Sequence, residues 1–391
     1  MMKKLLISPL WAIAILLVTS HFLNDVMQSI WPVFKTMRHL NLAQAGFLYG
    51  ASVIVGELLQ VVFGRFIDKG FQKEILILGL VLGAVPVLFP YADNFWLFFL
   101  LLVLSCAGSA AIHPTTASLL GGMGGRKAHF LGLFQMAGNF GTGFGQLIFT
   151  FFYQYLNIPI LMALPAIILA ILFSQSKTIT TEHVHIGCEV HFREAFRFFR
   201  VRPLRLLYLV QLFSQTIMWS TVFLLPDLLQ SKGYGNLISF GGGNFAFFAG
   251  AAIGCLPVGW LKARFMATTT IRALLGAALI SFYLFCVAPL GPAFMMTLLF
   301  FFGLFIGAIM PLVLDLGGDF VPHRKGLVSA FLMGLVWIVS EGVGISLASF
   351  LASTFQTDGP TKSLLIFGTL FIPSLLLTEP LSRYEKEKFV L

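Results

Sequence analysis

The stretch HFLNDVMQ, residues 21–28, sets a histidine, two amides and an acid inside an apolar run. His21, Asp25 and Gln28 stand at i, i+4 and i+7, so a helix puts them on one face, with Asn24 and Gln28 also one turn apart. An acid at the centre of a membrane helix costs about 2.5–3.5 kcal/mol on insertion scales, and such groups mark substrate or ion paths. Asp25 can carry a proton there. His21, one turn away, is a second titratable group or the partner that sets when Asp25 releases its proton. Two further acids lie in apolar runs: Glu57, on a face with Gln60 and Gly64, and Glu341, one turn after Trp337. Asp25, His21, Glu57 and Glu341 are the candidate proton-coupling residues.

A second set of side chains suits a polar solute. Asn24 and Gln28 belong to it, with His113 in GSAAIHPTTAS, Gln135 and Asn139 one turn apart in FQMAGNFGTGFGQ, and Trp337. The plainer role of a buried amide is hydrogen bonding between helices, which is expected of Gln60, Gln146, Gln211 and Gln215. His113 has a plainer role too, capping the carbonyl that Pro114 leaves unbonded.

These side chains need elements that hold them away from water. The chain has 391 residues, 58% hydrophobic and 10% charged, against about 25% charged in a soluble domain. A spanning helix takes roughly 20 apolar residues. Twelve candidate spans follow: 10–34, 42–66, 75–92, 95–120, 128–155, 159–174, 204–230, 237–261, 270–290, 293–314, 326–353 and 362–378. With both termini in the cytoplasm, 21 of the 25 Lys and Arg fall on the inner side, and Lys35, Arg38, Lys232 and Lys362 on the outer. That is the positive-inside pattern at every loop, and it excludes a nucleic-acid face. The basic start MMKKLL reads as the beginning of a retained first helix, because no small-residue cleavage site follows.

The longest polar stretch, 175–203, divides six spans from six. Within it Phe192, Phe196 and Phe199 alternate with arginines as on an amphipathic surface helix. The halves echo each other at offsets of 194 to 198: Pro32 with Pro226, Gly64 with Gly259, Pro114 with Pro311, and Arg126-Lys127 with Arg324-Lys325. The expected fold is all-α and polytopic: an N-terminal six-helix bundle over 1–174, a cytoplasmic linker over 175–203, and a C-terminal six-helix bundle with a short tail over 204–391. A parallel six-plus-six repeat of this kind describes the major facilitator architecture, with its site at the midplane between the halves.

GRFIDKGFQK, residues 64–73, resembles that superfamily's signature between spans 2 and 3, with Gly64, Asp68, Lys69 and Lys73 matching and the second glycine displaced to Gly70. The resemblance implies a conformational latch. The counterpart loop after Gly259 has Ala263 where the acid would stand. HFLNDVMQSIWP, GSAAIHPTTAS and FQMAGNFGTGFG together resemble the fosmidomycin-resistance branch, with VPHRKGLVSAFLMGLVW a looser match. This resemblance implies proton-coupled export of small organic compounds, including antibiotics. His21, Asn24, Asp25, His113, Pro114, Gln135 and Asn139 fall on the branch's motif positions. The chain departs from the branch at Thr115, where an acid is usual, and at Gln146, where proline is usual. Glu57 is an unexpected acid that could replace the missing one.

The expected function is proton-coupled secondary transport of a small organic molecule by alternating access. Efflux is the first reading, and proton symport of an imported metabolite is the alternative. Nothing points to an enzyme: HExxH, GxSxG and nucleotide-binding loops are absent from the sequence. The proton gradient is the expected energy source, and no cofactor is expected. His183, His185, Cys188 and His191 have metal-ligand chemistry but sit in a linker without scaffold, so no metal is expected. The expected partners are the solute, protons and the lipid bilayer, without nucleic acid. The expected state is a monomer in a bacterial cytoplasmic (inner) membrane.

Overall fold

The computed structural model describes residues 9–121, 127–176 and 196–387. Every regular element among them is helical. Among the described residues nine helices are long and apolar enough to cross a membrane: α1 (Trp11–Met37), α2 (Leu42–Asp68), α3 (Gln72–Tyr91), α4 (Phe95–Leu120), α7 (Arg202–Ser231), α9 (Ala267–Val287), α10 (Pro292–Phe320), α11 (Gly326–Thr354) and α12 (Gly359–Lys386). A tenth, α8, is the pair Ile238–Gly254 and Val258–Arg264, bent by 45°. Helix α5 (Lys127–Thr150) and the short apolar α6 (Pro159–Gln175) occupy the two remaining expected positions. The fold is the all-helical polytopic one expected. Its ends are called inner and outer below by the charge assignment made from the sequence.

By internal packing the chain forms two compact units. One comprises Met1–Ile30 and Val55–Ile186, the other Trp31–Ile54 and Gly187–Leu391. Helix α1 passes from one to the other just beyond Ser29, whose N–H still donates to the carbonyl of Asp25 at 3.1 Å. Pro32, three residues on, has no N–H to offer the preceding turn.

In the first unit α3 lies on α4, with Ile67, Ile75 and Ala111 buried together and Phe63 packed against them. The inner part of α1 lies on α5, and glycine makes this approach possible. A Cβ on Gly145 would strike the carbonyl oxygen of Val26 and the hydroxyl of Ser29. In the second unit the core is aromatic. Phe282 meets Phe285, Phe302 and Phe371 at centroid distances of 5.2, 5.5 and 5.7 Å, and Phe247 meets Phe302 at 5.4 Å.

Two local expectations change. The aromatic stripe expected at Phe192, Phe196 and Phe199 is carried instead by Phe198, buried, and Phe199, which meets Phe331 and Tyr208 at 4.9 and 4.8 Å. Phe196 is exposed, and Phe192 lies outside the described residues. Lys35, assigned to the outer loop, is instead a helical residue with no exposed surface.

Candidate functional site

His21 and Asp25 come from α1, and His113 from α4. His21 Nε2 lies 3.4 Å from Asp25 Oδ2, and His113 Nε2 lies 3.5 Å from Asp25 Oδ1. Each carboxylate oxygen therefore faces one imidazole. The two rings meet edge-on with centroids 4.7 Å apart. His21 is also stacked on Phe134 of α5, centroids 3.7 Å apart and planes within 10°.

The other ring nitrogens are already committed. His21 Nδ1 lies 2.8 Å from the carbonyl oxygen of Phe134, and His113 Nδ1 lies 3.0 Å from that of Ser109. A carbonyl only accepts, so a proton on Nδ1 fits both contacts, while Ser109 Oγ, also 3.0 Å from His113 Nδ1, can donate to that ring in its other tautomer. In the neutral, Nδ1-protonated form a ring turns its Nε2 lone pair toward Asp25. Added positive charge at either Nε2 relieves the repulsion between its lone pair and the carboxylate. Both separations exceed the roughly 2.7–2.9 Å of a charge-assisted hydrogen bond. The carboxylate is thus shared between the rings and not locked to either.

Sequence spacing predicted the His21–Asp25 pair but placed His113 with the solute-binding residues. The fold brings it into the cluster. Its Nδ1 bonds the carbonyl of Ser109, not that of Ala110, which Pro114 leaves unbonded. Gly138 of α5 gives the cluster room. A Cβ there would lie 2.5 Å from His21 Cε1 and 2.7 Å from Asp25 Oδ2.

Around this centre Asn24 Nδ2 donates to Asp25 Oδ1 at 2.9 Å, while Asn24 Oδ1 is buried without a donor among the described residues. Gln28 Nε2 donates to Ser105 O and Oγ, both at 2.8 Å, and so ties α1 to α4. Glu57 lies outside the cluster, and Gln60 Nε2 donates to both its oxygens at 3.0 Å. Gln135 and Asn139, half-buried on α5, flank Phe134 and Gly138 in the chain without bonding to the three. Thr115, where the branch has an acid, is buried and spends its hydroxyl on Ala111 O at 2.7 Å.

The latch residues are dispersed. Lys73 donates to the carbonyls of Ser174 and Ser176 at 2.8 and 2.9 Å, capping the end of α6. Lys69 lies over the Phe66 ring at 5.9 Å, Asp68 is exposed, and a Cβ on Gly64 would meet nothing within 4 Å. The counterpart Lys262 on α8 finds two acids instead of one, Asp315 at 2.5 Å and Asp319 at 2.6 Å on α10.

The second unit holds an ion pair that sequence reasoning missed. Lys35 Nζ pairs with Asp227 Oδ2 of α7. Thr36 Oγ1 donates to Asp227 Oδ1 at 2.9 Å, and the ammonium lies 4.6 Å from the Phe223 ring centre. Its one sequence signal is that the two charges follow the repeat-matched Pro32 and Pro226. Glu341 lies in a wide π-type turn, Ile338–Gly344, and is half-buried. Such turns recur at functional sites. Trp337 sits just before it, its buried Nε1 without an acceptor among the described residues.

Comparison with known proteins decides the family. A family model described as Major Facilitator Superfamily matches residues 13–348. The chain belongs to the major facilitator superfamily. It is an integral membrane transporter for a small molecule, not an enzyme. Among curated relatives, this superfamily member is 31% identical over 135 residues to the fosmidomycin resistance protein of Escherichia coli (strain K12), a match spanning 33% of each chain. Among solved structures it resembles a bacterial homologue of the human lysosomal transporter Spinster in its inward-facing, unoccupied conformation. The TM-score is 0.80 at 14% identity, covering 97% of this chain and 98% of that one. A nucleoside transporter matches at TM-score 0.77 and 13% identity, covering 95% and 99%. The E. coli fucose:proton symporter matches at 0.60 and 18%, also covering 95% and 99%. At these identities the structures speak for the fold alone.

Proposed function

We propose that the chain is a proton-coupled secondary transporter that moves a small organic molecule by alternating access, with efflux as its direction. One observation carries this reading: Asp25 faces Nε2 of both His21 and His113, at 3.4 and 3.5 Å, inside a membrane-spanning bundle. A proton bound on one Nε2 lets that ring donate to the carboxylate oxygen it faces, and its departure sets the two acceptors against each other. That difference in free energy between loaded and unloaded states is what a coupled carrier needs. Glu57 is the next group on the proton's route, and Glu341 serves the second unit. Asn24, Gln28, Gln135, Asn139 and Trp337 offer the polar contacts for the solute. Gly64, Asp68, Lys69 and Lys73 act as the latch. The repeat supports two six-helix halves, 1–174 and 204–391, in a monomer of a bacterial cytoplasmic membrane with both termini inside.

Efflux of antibiotics rests on the likeness to the fosmidomycin resistance protein. A second reading, proton symport of an imported metabolite, is favoured by Thr115 and Gln146, which depart from that likeness at two positions. Thermal stabilisation of the purified protein against a drug and metabolite panel at two pH values would identify a solute. Its flux in proteoliposomes under imposed proton gradients of either sign then separates the readings. Asp25→Asn should abolish gradient-driven flux and leave solute binding intact. Normal gradient-driven flux in that variant would refute the coupling role.

A further inference from the structure

We propose that His21, Asp25 and His113 form a binding site for a divalent transition-metal ion, for which Zn2+ is the probe. Among the described residues they are the one group of three or more His, Cys, Asp or Glu placed to share an ion, with one ligand atom from each lying within 4.8 Å of the others. Two imidazole nitrogens and a carboxylate oxygen are a donor set for zinc and its neighbours, not for calcium or magnesium, which take six or more oxygens.

The geometry favours an ion more than the chemistry alone requires. With bonds of about 2.0–2.1 Å, two ligand atoms on a tetrahedral zinc stand about 3.3 Å apart. The two nitrogen–oxygen separations, 3.4 Å to Oδ2 and 3.5 Å to Oδ1, come close to that edge, and the widest separation in the set, within 4.8 Å, has to close further around an ion. A ligating histidine is normally oriented by an acceptor on its other nitrogen, commonly a backbone carbonyl. Both rings have that acceptor, Phe134 O for His21 and Ser109 O for His113, and Asn24 Nδ2 holds the carboxylate. Gly138 keeps side-chain atoms out of the space beside His21 and Asp25.

The site can also be reached and its charge partly balanced. The side chain of His113 is 25% exposed and that of Asp25 16%, against 4% for His21. Three protein ligands leave a fourth position for water or an oxygen of a solute. Asp25 neutralises one charge of the ion. A bound ion occupies the lone pairs on which the proposed coupling depends, so Zn2+ acts as an inhibitor.

The test is calorimetric titration of the purified, chelator-treated full chain with ZnCl2, with MgCl2 as control. One Zn2+ per chain is expected, with no response to Mg2+. Asp25→Asn, His21→Gln and His113→Gln should each weaken binding by roughly 100-fold or more, since loss of an outer partner alone costs about 10–100-fold. Replacing His183, His185 and His191 together should leave that ion in place. Loss of the ion with these linker histidines, or its retention in the Asp25 and His113 variants, overturns the proposal. The Co2+-loaded unmodified chain gives a readout independent of any variant's folding: visible bands of a tetrahedral nitrogen–oxygen field support the site, and the spectrum of the free aqueous ion overturns it. The proposal shares residues with the coupling reading but not its test. Zinc binding needs no gradient, so absence of zinc leaves coupling standing, and gradient-independent flux leaves the metal site standing.

Discussion

His21 and His113 meet edge-on, 4.7 Å between centroids, each with Nδ1 turned onto a backbone carbonyl and Nε2 onto the same carboxylate. They work on Asp25 as a unit, so their contributions should not multiply. His21→Gln and His113→Gln should each reduce gradient-driven flux, and the double variant should be little worse than the weaker single. Flux in proteoliposomes closes this double-mutant cycle. Losses that multiply would mean the rings act separately.

Gly138→Ala should disable transport while the helices still assemble. The added methyl falls on the His21 ring and on Asp25 Oδ2, and overpacking of this kind costs about 1–3 kcal/mol. Gly132→Ala, on the same helix with nothing within 4 Å, should be silent in both flux and thermal stability. Equal behaviour of the two variants would remove the steric argument for the α1–α5 seam.

Burial separates the two lysine ion pairs of the second unit. Lys35 has no exposed surface, so Lys35→Met strands Asp227 and should cost about 3–5 kcal/mol. Removing the acid as well, in Lys35→Met/Asp227→Leu, should restore most of that loss. Lys262→Met, whose acids are each 52% exposed, should cost under about 1 kcal/mol. Unfolding midpoints in detergent give the order, and a tolerant Lys35→Met would show that the buried pair adds nothing.

Gln28 should matter more than the hydroxyl it meets. Ser105→Ala leaves the Ser105 carbonyl as acceptor and should cost only about 0.6 kcal/mol, the average for such bonds in membranes. Gln28→Ala loses both bonds at once and should cost more. The same unfolding assay ranks them, and a reversed order would place the tie elsewhere.

Period and charge made much of this molecule legible. Apolar runs and the sidedness of Lys and Arg foretold the helical, polytopic fold, because lipid forces the backbone to satisfy itself within each span. The i, i+4 spacing of His21 and Asp25 foretold half of the cluster. The rest was hidden for a physical reason. The partners that orient the rings are backbone carbonyls of Phe134 and Ser109, and a carbonyl has no residue-specific signal. His113 joins Asp25 across 88 residues, and Lys35 joins Asp227 across 192, distances over which spacing says nothing. Read alone, a lysine near a helix end looks like a loop charge. Only the packing of α7 against it makes it an interior one.

The burial of Lys35 has a chemical consequence. An amine with no exposed surface, held by a carboxylate and covered by an aromatic ring, is closed to acylating reagents. Exposed lysines such as Lys69 and Lys362 lie over aromatic rings too, but have no carboxylate partner among the described residues and stay open to the reagent. If the outer end of α1 parts from α7 during the transport cycle, this one nitrogen becomes reactive in step with the parting. The extent of its acylation, read peptide by peptide, then counts the time the carrier spends open on that side.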